Sequence, residues 1–188
     1  MPSPTRTEPG RTTTSNPNRR LATPRASSED ALRRMRRQRR RDTAPEIVLR
    51  SALHRSGLRF RVDYPLAGLR RWADLAFPTE RVAVFVDGCF WHGCPEHGTA
   101  PKANAAWWRD KIAANVARDR ETVVRLEEAG WLVVRVWEHE AVSHSAPRVA
   151  SAVEARRRER ARPAARAARA KSPVRDVSTR HGGSPSET

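Results

Sequence analysis

One loop segment, FVDGCFWHGCPEH, concentrates side chains that can bind a metal ion or move a proton. It contains Cys89, His92, Cys94 and His97, and His139 follows at the end of a later strand. Zinc takes about four Cys or His ligands, often a close pair plus ligands from another element. Cys89, Cys94, His97 and His139 are therefore candidate zinc ligands; the alternative is two buried, unligated cysteines and surface histidines. A zinc site closed by these four ligands does not include His92, so this remaining histidine is a candidate catalytic residue.

Three acidic residues precede or border this loop. Asp74 lies within a short predicted strand, Asp87 ends the next strand, and Glu46 lies on the helix before them. Carboxylates clustered at strand ends can hold Mg²⁺ against a phosphate group. The alternative is that each acid only bounds a strand or balances a nearby arginine.

The longest predicted helix carries polar residues on one face. Lys111, Asn115, Arg118 and Asp119 stand at positions i, i+4, i+7 and i+8, so they form a single stripe, either solvated or functional. Four large aromatic residues lie near the loop or the start of this helix. They belong either to the core or to a wedge that unstacks base pairs; they are Phe90, Trp91, Trp107 and Trp108.

The elements that must position these residues follow from patterning. A Thr43–Glu46 capping-box pattern begins a helix whose apolar face is marked by Ile47, Leu49 and Leu53. Alternating or continuous apolar runs predict four strands, and the run over 81–87 is central in a sheet. The predicted elements are helix 44–56, strands 58–64, 72–77 and 81–87, helix 104–129 and strand 131–137. Their order, α-β-β-β-α-β, predicts a compact α/β sandwich.

The charge of the chain lies at its ends. Its 188 residues carry 37 Lys plus Arg against 21 Asp plus Glu, a net +16, with +9 in residues 1–41, +7 in 155–188 and none in 42–154. No apolar run approaches the ~20 residues that span a bilayer. The start lacks the apolar region of a secretory signal, and two cysteines make no disulfide framework. We therefore expect a soluble cytosolic protein with nucleic acid as its leading partner class.

Composition divides the chain into three parts. Residues 1–28, rich in Pro, Ser, Thr and Arg, are expected to be disordered. Residues 29–154 form the expected domain, and 155–188 an Arg/Ala-rich, largely disordered tail whose start, from Arg156, is a candidate basic helix that frays. Within the domain, the basic segment 31–41 has Met35 as its apolar tip and is expected to order along DNA phosphates.

Three runs of sequence resemble a known family. The runs RRDTAPEIVLRSALHRSGLRFRV, VAVFVDGCFWHGCPEH and WWRDKIAANVARDRETVVRLEEAGWLVVRVWE are similar to those of the very short patch repair (Vsr) mismatch endonucleases. The resemblance covers roughly residues 31–140, in the family's order. It implies a restriction-endonuclease-like fold, catalytic Mg²⁺, structural Zn²⁺ and a location at the bacterial nucleoid. It also implies nicking of double-stranded DNA 5′ of the T in T·G mismatches left by deamination of 5-methylcytosine.

The resemblance assigns roles residue by residue. Asp74 and the backbone carbonyl of Val86 match the Mg²⁺ site, and His92 matches the general base that activates the attacking water. Glu46 and Asp119 match acids that hold metal-bound waters or orient the histidine. The zinc positions fall on Cys89, Cys94, His97 and His139. Matches to DNA-contacting positions comprise an aromatic wedge (Phe90, Trp91, Trp108) and the minor-groove clamp at Met35. The helical stripe adds Lys111, Asn115 and Arg118.

Some positions depart from the family's pattern. Arg71-Trp72-Ala73 replaces the usual Gly-Arg-Pro before Asp74, so the rigidity of proline is lost and Trp72 is a bulky intrusion. Asp87 occupies an active-site position that is His in some members. His139 stands where Cys is common, and His is an acceptable zinc ligand.

The leading hypothesis is therefore a Mg²⁺-dependent, zinc-stabilised mismatch nickase, a monomer, with other repair proteins as further candidate partners. A second hypothesis is a strand nickase without mismatch specificity. The third is a non-catalytic zinc DNA-binding protein, to which only the Arg71-Trp72-Ala73 departure gives weight. Nicking of T·G against matched duplexes distinguishes the three.

Overall fold

The fold is a four-stranded mixed sheet with helices on both faces. The computed structural model describes residues 24, 28–30, 32–33 and 41–171. The elements, in chain order, are α1 (Ala44–Arg55), β1 (Arg61–Pro65), β2 (Trp72–Phe77), β3 (Val82–Asp87), α2 (Ala105–Glu128), β4 (Leu132–Trp137) and α3 (Val142–Lys171). The strand order is β1-β2-β3-β4; the first three strands are antiparallel, and β4 runs parallel to β3.

The main hydrophobic core lies between the sheet and helices α1 and α3. It joins Leu49 and Leu53 of α1 to Val149 and Val153 of α3, over Leu75, Phe77, Val82, Val84, Val134 and Val136 of the strands. A smaller cluster on the other face brings Leu126 of α2 against Ala73 and Ala83. Because successive residues of a strand point to opposite faces, β3 contributes apolar residues to both clusters, as its continuous apolar run predicts.

The fold differs from the predicted one by a further helix. Helix α3 follows β4 and buries Ala146, Val149 and Val153 in the main core. It crosses the expected boundary at residue 155 and continues helical to Lys171. The expected disorder of 1–28 and of the chain beyond Lys171, and the arm around Met35, fall wholly or largely outside the described residues.

Two local expectations are corrected. Strand β1 begins at Arg61, three residues later than predicted, after a turn in which Gly57 has a φ of +80°. Ile47 is 49 % exposed, so it does not belong to the buried face of α1. Glu46 takes that place beside Leu49 and Leu53, since residues three and seven positions apart share one helix face. Among the described helices, none is long and apolar enough to cross a membrane.

Candidate active site and zinc-type cluster

A cleft of about 960 Å³ collects most of the side chains that the sequence selected. It lies where α1, the ends of β2 and β3, the loop after β3 and one face of α2 meet. Every catalytic candidate borders it, as does the Mg²⁺-site candidate Val86; the catalytic candidates are Glu46, Asp74, Asp87, His92 and Asp119. The polar stripe of α2 borders it too, through Lys111, Asn115 and Arg118, so the stripe faces the candidate catalytic groups.

Asp74 is the central carboxylate of the cleft. Its Oδ2 accepts a hydrogen bond of 2.7 Å from the backbone N–H of Val86, which ties β2 to β3 at this point. Burial, reinforced by the carboxylates of Glu46 and Asp87, raises the pKa of Asp74 to about 6. The Val86 N–H and Arg50 act in the opposite direction but do not cancel this effect. Several acids held together at low solvent exposure are a favourable site for a hard divalent cation.

Glu46 is buried and its carboxylate is held from three sides. Oε2 accepts hydrogen bonds from Arg50 at 2.6 Å and from the backbone N–H of Asp42 at 3.1 Å, and Oε1 accepts the Thr43 hydroxyl at 2.8 Å. The capping box predicted at Thr43 is therefore rearranged, because the Thr43 hydroxyl donates to Glu46 and caps no backbone N–H of the helix. This first turn of α1 fixes Glu46 at the cleft.

His92 and Asp119 form a hydrogen-bonded pair across the cleft. His92 Nδ1 lies 2.6 Å from Asp119 Oδ2, which joins the loop after β3 to α2. Burial opposes the charged imidazole, but the hydrogen bond to Asp119 and the charge of Asp87 outweigh it, so the pKa of His92 lies above 6.5. Burial likewise opposes the Asp119 carboxylate, yet His92 and Arg135 hold the pKa of Asp119 below 3.8. A histidine oriented by a carboxylate is the arrangement of a general base.

Arg135 is a residue of the site that the sequence analysis missed. Its Nε donates to Asp87 Oδ2 at 2.6 Å and its Nη2 to Asp87 Oδ1 at 2.5 Å, so both oxygens of the buried Asp87 carboxylate are engaged. Nη2 also lies 3.1 Å from Asp119 Oδ2. An arginine inside a nearly apolar strand, with an acid at the end of the neighbouring predicted strand, was the signal that could have identified this pair.

The predicted zinc ligands converge where the loop after β3 meets the end of β4. One ligand atom from each of Cys89, Cys94, His97 and His139 lies within 4.8 Å of all the others. His139 Nδ1 is 3.0 Å from Cys89 Sγ and 3.8 Å from Cys94 Sγ. Tetrahedral zinc with bonds of about 2.0–2.3 Å needs ligand atoms at about this spacing, and two thiols with two imidazoles are a suitable donor set.

Backbone and side-chain contacts tie the zinc-type cluster to the catalytic groups. Glu138, next to His139, accepts the N–H of Cys89 at 2.7 Å and donates its own N–H to the Asp87 carbonyl. Gly93 has a φ of +66°, and a Cβ there would lie 3.3 Å from side-chain carbons of two α2 residues. Glycine therefore allows the loop to pack closely on α2.

The aromatic candidates form one half-buried cluster beside the cleft. Ring centroids of Phe90 lie 5.1 Å from those of both Trp91 and Trp108, and Trp107 lies 4.7 Å from Trp108. Asn115 donates to the Trp91 carbonyl at 3.1 Å and accepts from Arg118, so this part of the polar stripe also supports the cluster. The cluster is closely packed and partly exposed, which suits either a core satellite or a wedge.

The Arg71-Trp72-Ala73 departure leaves the cleft open. Trp72 is 53 % exposed and borders the cleft, so it does not intrude into the core, while Ala73 is fully buried. Arg71 reaches α2, where it bonds the Arg118 carbonyl, the Thr122 hydroxyl and Glu121. These contacts hold the start of β2 against α2 without the family's proline.

A mixed α/β sandwich with an acidic cleft and a carboxylate-oriented histidine is compatible with a hydrolytic nuclease. Residues 27–97 match the family described as DNA mismatch endonuclease Vsr. The Type II nicking enzyme V.NaeI of Lentzea aerocolonigenes is 49 % identical over 111 residues, 57 % of this chain and 67 % of that enzyme. V.XorIIP of Xanthomonas oryzae pv. oryzae, a Type II nicking enzyme, is 41 % identical over 120 residues, 63 % of this chain and 86 % of the relative.

The DNA mismatch endonuclease Vsr of Escherichia coli K12 is 41 % identical over 102 residues, which are 52 % of this chain and 62 % of that protein. This chain belongs to the Vsr family. Its fold agrees with an endonuclease of this family, and its activity class is that of a nuclease that acts on DNA.

Proposed function

We propose that the protein is a Mg²⁺-dependent endonuclease that nicks duplex DNA on the 5′ side of the T in a T·G mismatch. The observation that carries the proposal is the His92–Asp119 pair, 2.6 Å apart, in the same cleft as Asp74. A proton acceptor beside a cation-binding carboxylate is what hydrolysis of a phosphodiester requires.

Asp74 and the backbone carbonyl of Val86 would hold Mg²⁺, and the fit rests on the acidic surroundings that raise the Asp74 pKa. When bound there, the ion supplies charge stabilisation to the scissile phosphate and its leaving oxygen. Glu46 lies beside Asp74 and would accept hydrogen bonds from water around the site. Asp87, with both oxygens on Arg135, acts through that arginine and not as a ligand.

His92 would take the proton of the attacking water on Nε2, because Nδ1 is committed to Asp119. Asp119 fixes the tautomer and the ring orientation, and its negative charge favours the imidazolium that forms. Lys111 and Arg118 on the α2 stripe would bind flanking phosphates and hold the strand in line.

The aromatic cluster would supply selectivity for the mismatch. Phe90, Trp91 and Trp108 are mutually packed, so a wedge built from them loses little conformational freedom on binding. A T·G pair costs less to distort than a matched pair, and the wedge therefore enters there first. We also propose structural Zn²⁺ on the four-residue cluster, and non-specific phosphate contacts by the basic ends, including the arm with Met35.

The test is a single-turnover nicking assay on end-labelled duplexes, one with a T·G mismatch and one with its matched C·G parent. We expect a single Mg²⁺-dependent cut immediately 5′ of the mismatched T. His92→Ala should lose at least 100-fold in rate, within the range of lost general-base catalysis. His54→Ala, on the exposed face of α1, is the matched control and should nick at the parental rate. Parental cleavage by His92→Ala would contradict the proposal.

A second function has specific support from the comparisons. Two relatives, 49 % and 41 % identical, are named Type II nicking enzymes. Equal cutting of the T·G and C·G duplexes would favour a nickase without mismatch specificity. Binding of DNA without cleavage would favour the non-catalytic zinc protein, although the retained Asp74 and the open cleft around Trp72 argue against it.

A further inference from the structure

Arg135 occupies an unusual place for a charged residue. It stands in the middle of β4, is flanked by Val134 and Val136 of the core, and its side chain is 26 % exposed. The guanidinium lies over the Phe85 ring at 5.5 Å and donates to both oxygens of Asp87. A bidentate pair stacked on an aromatic ring has one orientation, which a lysine in the same place would not have.

The fixed guanidinium also reaches the proposed general base. Nη2 lies 3.1 Å from Asp119 Oδ2, the same oxygen that lies 2.6 Å from His92 Nδ1. Nη2 is 3.4 Å from His92 Nδ1 itself. One oxygen of Asp119 is thus held between Arg135 on β4 and His92 on the loop after β3.

A second carboxylate competes for the histidine. Asp87 Oδ1 lies 3.6 Å from His92 Nδ1, and the Asp87 side chain is only 4 % exposed. Were Arg135 absent, Asp87 would be a buried, unpaired carboxylate within reach of the imidazole. The ring would then have two acceptors for Nδ1, on two different elements, and no single orientation.

We propose that Arg135 is a positioning residue for the nicking reaction. It engages both oxygens of Asp87 and, by holding Asp119, leaves Asp119 as the one carboxylate that orients His92. The inference rests on the proposed function, because it takes His92 as the group that accepts the proton. Since a misplacement of about 1 Å at a reacting group can cost ~100-fold in rate, loss of Arg135 is expected to affect the chemical step and not DNA binding.

The first measurement compares the single-turnover rate at saturating enzyme with the dissociation constant for T·G duplex. Arg135→Met should lower the rate roughly 10- to 100-fold and change the dissociation constant less than about 3-fold. Arg55→Met, which removes an exposed hydrogen bond to Ser51 at the end of α1, is the matched control and should leave both quantities unchanged. An unchanged rate in Arg135→Met would overturn the inference.

Two double variants separate positioning from simple charge neutralisation. Asp87→Asn/Arg135→Met removes the unpaired, competing carboxylate and should recover thermal stability and part of the rate, but the rate should stay below the parental value because Asp119 is still unsupported. Recovery of the parental rate would show that Arg135 only neutralises Asp87. The nicking rate of Asp119→Asn/Arg135→Met should lie within about 2-fold of the rate of Asp119→Asn alone. The effects of two substitutions are not additive when one residue acts through the other. Multiplicative losses would contradict action through Asp119.

The design also separates this inference from the proposed function. If His92→Ala nicks at the parental rate, the proposed function fails whatever Arg135 does. If His92→Ala is inactive and Arg135→Met is parental, only the inference fails. Should Arg135→Met lose its far-UV circular dichroism, Arg135→Lys replaces it. A folded Arg135→Lys variant is expected to keep part of the parental rate, since it retains the charge but makes one contact at a time. A rate as low as that of Asp87→Asn/Arg135→Met would overturn the inference.

Discussion

Asp74→Asn should make the Mg²⁺-free protein more stable while it abolishes nicking. The carboxylate is buried near Glu46 and Asp87, and its pKa rises from 3.8 to about 6 on folding. That pKa difference lowers the free energy of unfolding by roughly 3 kcal/mol once the carboxyl group is ionised. The figure is an upper limit because Asp74 keeps some solvent contact. Asparagine has nearly the same shape, and its Oδ1 can still accept the Val86 N–H. We expect a gain of about 1–3 kcal/mol, or roughly 4–12 °C in melting temperature.

The sign of the pH dependence follows from the raised pKa. Below pH 3.8 the acid is protonated in both states, so the variant has no advantage. Between 3.8 and about 6 the folded protein keeps a proton that the unfolded chain releases, and wild-type stability contributed by this group is lost as the pH rises through that window. The difference between variant and wild type should therefore grow from pH 4.5 to 6.5 and level off above it.

The assay is thermal or urea unfolding in Mg²⁺-free buffer with zinc retained, at several pH values, followed by addition of Mg²⁺. Mg²⁺ should raise the melting temperature of wild type but not of Asp74→Asn, because ligand binding to the folded state stabilises it. Asp74→Ala should be less stable than Asp74→Asn, since the Val86 N–H loses its acceptor. Asp110→Asn, on the exposed surface of α2, is the matched control. A variant no more stable than wild type at pH 7.5, or a difference independent of pH, would refute the reasoning.

Three further predictions concern the cluster, the cleft rim and the loop. Chelation or Cys94→Ala should release about one zinc ion per chain, measured with a chromogenic chelator, and lower the melting temperature; a metal-free native protein would contradict this. Trp72 is an exposed aromatic at the cleft rim, and if it stacks on a base of bound DNA, Trp72→Ala should weaken DNA binding roughly 5- to 50-fold by titration, with little change in the saturated rate; unchanged affinity would exclude a DNA contact by Trp72. Gly93→Ala should cost about 1–2 kcal/mol of stability because of its positive φ; unfolding at the wild-type midpoint would argue against a strained loop.

Much of the sheet could be predicted because its strands have simple patterns. Strand β2 was predicted with both boundaries correct, and β3, β4 and α2 within one residue at each end. The packed part of helix α3 was missed, although a basic helix from Arg156 was a candidate, because its buried positions, Ala146, Val149 and Val153, are small and separated by arginine and serine. Their burial comes from α1 and the sheet, which a local pattern does not contain.

The polar network was harder to predict because its partners are distant in the chain. The polar stripe of α2 followed from helical spacing, and the Cys/His cluster from residue type. The Arg135–Asp87 contact joins residues 48 positions apart, and only the parallel pairing of β3 and β4 places them together. Thr43 and Glu46 match a capping box by type, yet Arg50 and the Asp42 N–H draw the glutamate into a different set of bonds.

The alternation of the two central strands explains why one sheet can hold both a core and a catalytic edge. On β3 and β4, Val84, Val86, Val134 and Val136 face α1 and α3 in the main core. The residues that alternate with these valines point to the opposite face, toward α2; they include Phe85, Asp87 and Arg135. Helix α2 contributes Asp119, which contacts Arg135 there. A buried carboxylate and a half-buried guanidinium are tolerated there because each satisfies the other, and the ring of Phe85 covers the guanidinium. Because Glu138 joins the end of β4 to both the Asp87 carbonyl and the Cys89 N–H, the candidate zinc ligands and the candidate general base are built on the same two strand ends.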